Sequence, residues 1–276
     1  MTYPLSVIIP CFNAEKHVPG FLSAIRPDID IEYIFIDDGS TDNTYNLLSD
    51  RRVIKNPLNL GTHKSRFAGI KYATREYVMF QDIDDPFNYD SLDYLMEERK
   101  KYGHDTLLPV PKRITGTDIV WNMESYDNPF QYLISELNSL CGRVSIHNTP
   151  IHTFTAIAGF NLMNRSLFDA GIDRIDVCED MFLFDTMIIY GLIKHVLPLN
   201  NIFAWYNQNS GTNISRNMEK RVKNIPIALA QIWYFLHRNG FLEEDAGDRL
   251  NALVNRVYKE NADKFMKNLL EAHGKL

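Results

Sequence analysis

Three carboxylates fall close together in Asp82-Ile83-Asp84-Asp85, one residue after the apolar run Tyr77-Val-Met-Phe80 and directly before Pro86. Like charges at such spacing oppose one another's ionisation, so a shared site is best accounted for by a divalent cation, and an all-oxygen donor set suits Mg2+ or Mn2+. A cation of that kind points in turn to a phosphate-bearing ligand. A lone D-x-D also has a plainer explanation, because Asp is common in turns, where its side chain bonds the local backbone. An EF-hand does not fit: Asp85 and Pro86 stand where that loop needs alternating ligands, and the central Gly and distal Glu are missing. A second acidic pair, Glu179-Asp180, opens a helical pattern, where carboxylates complement the helix dipole by ~0.3–1 kcal/mol without any chemistry.

The elements that must position these groups alternate. Leu5 to Pro10 is an apolar run too short for a helix, and Glu15 to Ile25 follows with helical spacing at Val18, Leu22 and Ile25. Ile31 to Ile36 repeats the strand signature, and Asp37-Asp38-Gly39-Ser40-Thr41-Asp42 is a turn able to cap the next helix. Strand Arg52 to Lys55, helix Thr62 to Ala73 and strand Tyr77 to Phe80 continue the pattern. Such alternation predicts a mostly parallel, Rossmann-like α/β sheet flanked by helices, with ligands at the carboxyl ends of its strands. The polar clusters at 11–13, 37–42 and 82–85 all sit at such ends, which counts against an idle acidic turn.

Beyond Asp90 the expected order is helix Leu92 to Tyr102, strands Leu107 to Val110 and Ile119 to Trp121, and helix Phe130 to Leu140, interrupted by Pro109, Pro111, Gly116 and Pro129. An extended segment at Thr153 to Met163, a helix from Cys178 through Ile189, and strands Val196 to Leu199 and Ile202 to Tyr206 follow. Asn207 to Asn217 reads as a linker or a mobile lid. Helices Arg221 to Arg238 and Glu244 to Leu270 close the chain, each with an apolar face that fits the core, a second copy of the chain or, through its Lys/Arg flanks, a membrane surface.

The chain has 276 residues, with 29 Lys+Arg against 35 Asp+Glu and a net charge of -6, and no long basic run of the kind that tracks nucleic acid. Cys11, Cys141 and Cys178 are far apart and form no C-x-x-C pair, so neither a zinc site nor a disulfide framework is expected. Without a leader pattern or a membrane-length apolar run in this sequence, the expected location is the cytoplasm, including its boundary with the plasma membrane.

Four motifs in order, Ser6-Val-Ile-Ile-Pro10-Cys11-Phe-Asn13-Ala-Glu15, Asp37-Asp38-Gly39-Ser40-Thr41-Asp42, Asn59-Leu60-Gly61 with Arg66 and Gly69, and Asp82-Ile83-Asp84-Asp85, resemble the family 2 inverting glycosyltransferases with a GT-A fold. The resemblance covers roughly the first hundred residues. It implies a UDP-sugar donor, Mn2+ or Mg2+ at the D-x-D motif, and transfer of the sugar to a hydroxyl of a carbohydrate or lipid-linked glycan acceptor, with a part in surface polysaccharide synthesis. Pro10, Cys11 and Asn13 would border the nucleotide, with Asn59, Gly61 and Ile83 on the same donor side. Asp38 would contact uracil with Asp37 beside it, and Arg66 would lie near base or phosphates. Asp82 would face ribose and metal, and Asp84 would be the main metal ligand. Asp180 is matched to the family's base and Glu179 to its neighbour. The implied organisation is a catalytic domain over 1–216, with a donor half at 1–110 and an acceptor half at 111–216, and a C-terminal helical extension over 217–276.

Two departures from the family pattern stand out. The basic residue that members carry after the Trp/Tyr strand is displaced, since Tyr206 is followed by Asn207 and the next arginine is Arg216; Phe67 also replaces an Asn. His63 and His152 could reach the donor but are more simply ordinary residues. The rival readings are a catalytically inactive sugar-nucleotide module, and a metal-dependent phosphotransferase of the haloacid dehalogenase type, whose D-x-D normally follows the first strand. The sugar, the acceptor and the linkage are not legible in these residues.

Overall fold

The computed structural model describes residues 2–104, 106–108, 110, 112–116, 120–121, 163–165, 194–197, 199 and 204–207. The expected helices at 130–140, 178–189, 221–238 and 244–270, the division at 216–217 and the loop beyond 207 lie outside the described residues.

The central sheet has the order β3-β2-β1-β4-β8. It comprises β1 (Thr2–Cys11), β2 (Asp30–Asp37), β3 (Val53–Lys55), β4 (Tyr77–Phe80) and β8 (Met163–Asn164). The first four run parallel, and β8 joins β4 antiparallel through Tyr77↔Asn164 and Val78↔Met163. Helices α1 (Val18–Ala24), α2 (Thr44–Leu47) and α3 (Thr62–Ile70) connect the strands in turn, and α4 (Leu92–Lys101) follows β4. Two smaller sheets complete the described part. One pairs β6 (Lys112–Ile114) with β7 (Val120–Trp121) and β10 (Ala204–Tyr206), the other β5 (Thr106–Leu107) with β9 (His195–Val196).

The central strands are apolar on both faces because both faces are covered, as a parallel sheet requires. Leu5, Val7 and Ile9 of β1 pack with Phe35 and Met79 against Val18 and Phe21 of α1 and Leu92, Leu95 and Met96 of α4. Phe21 meets Phe35 edge-on at 5.9 Å between ring centres, a favoured aromatic geometry. On the opposite face α3 approaches so closely that a Cβ at Gly69 would lie 2.3 Å from Ile8 Cγ2. Two buried layers clamp the sheet and leave its carboxyl edge to the loops.

The strand at 77–80 has the expected bounds, whereas β1 runs longer than Leu5 to Pro10 at both ends. Its extra residues are tied to β2 by Thr2↔Asp30 and Cys11↔Asp37. Helix α3 stops at Ile70 instead of reaching Ala73, and α1 begins at Val18, after a turn in which His17 and Val18 both donate to the Ala14 carbonyl. The strands Thr106–Leu107 and His195–Val196 end before the expected Val110 and Leu199. Among the described residues, no helix is long and apolar enough to cross a membrane.

Candidate active site

The loops after β1 and β2 are laced together at the carboxyl edge. Asn13 takes a left-handed backbone at φ 48, and its Oδ1 accepts the Thr41 N–H at 2.9 Å. The Asn13 N–H donates to Ser40 Oγ at 3.0 Å, the Ala14 N–H to Thr44 Oγ1 at 2.7 Å, and the Glu15 N–H to Asp42 Oδ2 at 3.1 Å. Glu15 returns a bond by accepting the Asn43 N–H at 3.1 Å. Short polar side chains answer loop N–H groups that no strand partner reaches, which is why Asn, Ser, Thr and Asp crowd these turns.

Asp37 and Asp38 are buried, at 0% and 2% exposure, but are held differently. The Asp37 Oδ1 accepts the Ser40 N–H at 3.3 Å, while Oδ2 is buried without a hydrogen-bond partner among the described residues. Asp38 is a hub: Oδ1 accepts Asn56 Nδ2 and the Leu60 N–H, each at 2.9 Å, and Oδ2 accepts the Gly61 N–H at 2.9 Å. A carboxylate offers about four acceptor positions, so these three bonds leave one on Oδ2. The loop lies close against Gly39 (φ 71), where a Cβ would sit 2.6 Å from the Leu58 carbonyl carbon.

Cys11 has its thiol buried, donating to the Ile9 carbonyl at 3.4 Å. Burial pushes that thiol well above its usual range, and the Asp37 charge pushes it further. Only the backbone of Cys11 serves the loop, through a carbonyl that accepts the Asp38 N–H at 2.8 Å.

The turn after β4 brings Asp82, Asp84 and Asp85 to the same edge, and the three side chains differ. Arg66 is buried on α3, its guanidinium 5.5 Å from the Phe80 ring centre, and its Nη2 donates to Asp82 Oδ1 at 2.7 Å. The Asp82 side chain keeps 35% exposure and that of Arg66 3%. Asp84 is half-buried. Asp85 is buried, and its Oδ1 accepts the N–H of Asn207, just past β10, at 2.6 Å. Asn207 Nδ2 also donates to the Asp84 carbonyl at 3.2 Å. Buried Gln81 donates through Nε2 to the Asp85 carbonyl at 3.0 Å and the Asp82 carbonyl at 3.3 Å.

Of the expected site residues, Pro10, Cys11, Asn13, Asp37, Asp38, Asn59, Gly61, Arg66, Asp82, Ile83 and Asp84 lie on the strand ends, loops and helix of this edge, whose ion pair joins Arg66 to Asp82. Glu179, Asp180 and His152 lie outside the described residues, and His63 is described only by its place on α3. Asn56, Gln81 and the Asp85–Asn207 contact were not anticipated. Among the described residues, no three His, Cys, Asp or Glu side chains form a group able to hold a metal alone. Asp82 and Asp84 still offer carboxylate oxygens at this edge, the donor type that suits a hard divalent cation.

A parallel 3-2-1-4 strand order edged by an antiparallel strand, with acidic turns at the carboxyl ends, is the sheet of a GT-A fold. Solved structures share this fold. TarS residues 1–349 of S. aureus, solved in complex with UDP-GlcNAc, superposes with a TM-score of 0.60 at 21% identity, over 92% of this chain and 72% of that one. The mannosyltransferase PcManGT of Pyrobaculum calidifontis, solved with GDP-Man and Mn2+, gives 0.56 at 12% identity, over 99% and 76%. The family description Glycosyl transferase family 2 matches residues 6–171, and the chain belongs to that family. The poly-beta-1,6-N-acetyl-D-glucosamine synthase of Staphylococcus epidermidis is 29% identical over 206 residues, 67% of this chain but 47% of the synthase. The poly(ribitol-phosphate) beta-N-acetylglucosaminyltransferase TarS of Staphylococcus aureus is 30% identical over 132 residues, 43% of this chain and 22% of TarS. The chain thus spans less than half the length of these two relatives.

Proposed function

We propose that this chain transfers a sugar from a UDP-sugar to a hydroxyl of a carbohydrate or glycoconjugate acceptor, with inversion at the anomeric carbon, in surface polysaccharide synthesis on the cytoplasmic side. The observation that carries the reading is the meeting of three polar turns, 11–15, 37–44 and 82–85, at the carboxyl edge of adjacent parallel strands in a family 2 chain. The UDP-GlcNAc complex of the TarS fragment and the names of the two staphylococcal relatives support the donor and the polymer class.

In this reading residues 1–110 bind the donor, 111–216 the acceptor, and 217–276 form the helical extension. Asp38, whose carboxylate is fixed by Asn56, Leu60 and Gly61, offers its last acceptor position to the single N–H of the uracil ring. Pro10, Cys11, Asn13 and Asp37 shape the floor beneath it, and Asn59, Gly61 and Ile83 border it. Arg66 holds Asp82 in place and contributes positive charge toward the diphosphate. Asp84, with Asp82, would hold Mn2+ or Mg2+, which when bound offsets the negative charge on the departing diphosphate. Asp180 removes the acceptor's hydroxyl proton as its oxygen bonds the anomeric carbon, the bond from that carbon to the β-phosphate oxygen breaks, and UDP leaves with the electron pair. Glu179 lies beside the base to bind acceptor or raise its pKa.

The test is thermal denaturation with a panel of UDP-sugars, with and without Mn2+ or Mg2+, followed by transfer assays. UDP is expected to raise the melting temperature only with metal, by the few degrees that saturating ligand supplies. Asp84→Asn should abolish that rise, and Asp180→Asn should abolish transfer while leaving UDP binding intact. A UDP response indifferent to metal and to Asp84→Asn would remove the metal role. Transfer at the normal rate by Asp180→Asn would remove the base, and UDP binding without turnover of any sugar would favour the inactive binding module.

A further inference from the structure

We propose that Asp85 and Asn207 form a clasp that positions the metal-binding carboxylates, and that Asp85 is a positioning residue instead of a third metal ligand; this rests on the donor-site reading above. Asp85 is the most buried carboxylate of the turn, at 6% exposure, and its Oδ1 accepts the Asn207 N–H at 2.6 Å across 122 residues of chain. Asn207 then reaches back with Nδ2 to the Asp84 carbonyl at 3.2 Å, so one residue grips the turn at two successive positions. Gln81 holds the other side through the Asp82 and Asp85 carbonyls, and the Asp85 N–H donates to the Asp82 carbonyl at 3.2 Å. The peptide group that follows Asp84 is therefore pinned through both its carbonyl and its N–H, and those that follow Asp82 and Asp85 through their carbonyls, while the carboxylates of Asp82 and Asp84 stay at the half-buried edge.

This division of labour follows from the chemistry of the three groups. A buried carboxylate that accepts a backbone N–H gains a charge-assisted bond and gives up exposure, which suits a support and not a ligand for an exchanging cation. Outer-shell groups of this kind fix the orientation of the ligands, and their loss weakens metal binding without removing a donor atom. Asn207 is also where a basic residue was expected, so the chain meets the metal turn there with two neutral N–H donors. The hydrogen bond can be kept without the charge, since an Asn at 85 still presents an acceptor oxygen.

The experiment measures the Mn2+ concentration that half-saturates UDP-dependent thermal stabilisation in the full chain, alongside hydrogen exchange of the peptide carrying 81–85 in ligand-free protein. Asp85→Ala and Asn207→Ala should each raise the half-saturating Mn2+ concentration, Asp85→Ala by about 10-fold or more. Asp85→Asn should restore a value within about 3-fold of the parent, because the acceptor to the Asn207 N–H remains. Exchange at 81–85 should be faster in Asp85→Ala and near the parent rate in Asp85→Asn. Equal impairment of Asp85→Asn and Asp85→Ala would overturn the proposal, since charge and therefore metal ligation would be the requirement. Unchanged metal dependence and exchange in both alanine variants would overturn it too, and Asn207→Ala decides alone if Asp85→Ala does not fold. If the parent chain ignores UDP and metal, the donor-site reading fails, while hydrogen exchange still decides the clasp.

Discussion

Asp38 shows how one carboxylate can serve mostly its own protein and still keep one acceptor position over. Its bonds to Asn56 Nδ2 and to the Leu60 and Gly61 N–H groups fix the loop that enters α3. Bonds to a charged group contribute about 1.5–3 kcal/mol each, and a stranded buried donor costs about 1–3 kcal/mol. These donors share one acceptor, and the half-exposed loop can turn some of them to water, so their losses do not simply add. Asp38→Ala is therefore expected to lower stability by about 3 kcal/mol in urea denaturation at neutral pH. Asp38→Asn should lie between the two, because its Oδ1 still serves Asn56 and Leu60 while its amide faces the Gly61 N–H. A loss below about 0.5 kcal/mol for the alanine variant, typical of ordinary surface positions, would mean that other contacts hold the loop. The Cys11 thiol beside this site is expected to resist alkylation in the native protein, because burial keeps it protonated.

The close approach of α3 to the sheet sets the height at which Arg66 meets Asp82, and Gly69 permits it. Replacing Gly69 by Ala would gain about 1 kcal/mol in helix propensity. The added Cβ would, however, lie 2.3 Å from Ile8 Cγ2 and 3.3 Å from Ile36 Cδ1, in a fully buried layer. Overpacking of a dense core costs about 1–3 kcal/mol, so the clash outweighs the propensity and Gly69→Ala should melt at a lower temperature than the parent. A higher melting temperature would show that the helix can slide away without loss. Strands such as Tyr77–Phe80 were legible because a short apolar run between polar turns leaves few other options. Boundaries at Thr2, Cys11 and Ile70 were less so, since they are set by pairing with β2 and by packing, not by local residue type. The placing of the polar clusters at strand ends was legible, but the Asp85–Asn207 contact was not. It joins residues 122 apart through a backbone N–H, which no local pattern encodes.

Over the whole molecule, the sheet separates a carboxyl edge that carries the candidate chemistry from an amino edge that carries a polar lock. At the amino edge the Glu32 carboxylate accepts bonds from Ser6 and Arg52, from the Thr74 N–H at 2.9 Å and from Thr74 Oγ1 at 2.8 Å. Ser6 Oγ also accepts the Arg75 N–H at 3.2 Å, and Arg75 pairs with Asp30 at 3.1 Å, so the lock ties β1, β2 and the segment before β4. Burial by itself would raise the Glu32 pKa, but the bonds from Ser6 and Thr74 and the Arg52 charge outweigh it, and the net shift is downward. A depressed folded pKa adds stability that is fully present above the unfolded value of about 4.3 and is lost as pH falls through the lower folded value. Glu32→Gln should therefore cost about 1–3 kcal/mol at neutral pH, where the charged acceptor is missed. The gap to the parent should shrink as urea denaturation is repeated below about pH 4, because the parent's own carboxylate is then being protonated. Comparing the two proteins at each pH cancels the other carboxylates, Asp42 included, whose depressed pKa is common to both. A gap that stayed constant from neutral to acid pH would mean that Glu32 acts by shape alone. Because the lock lies at the far edge of the sheet, Glu32→Gln should lower the urea midpoint at neutral pH while leaving the response of the melting temperature to UDP and metal as it is in the parent, so stability and the proposed donor binding can be varied independently.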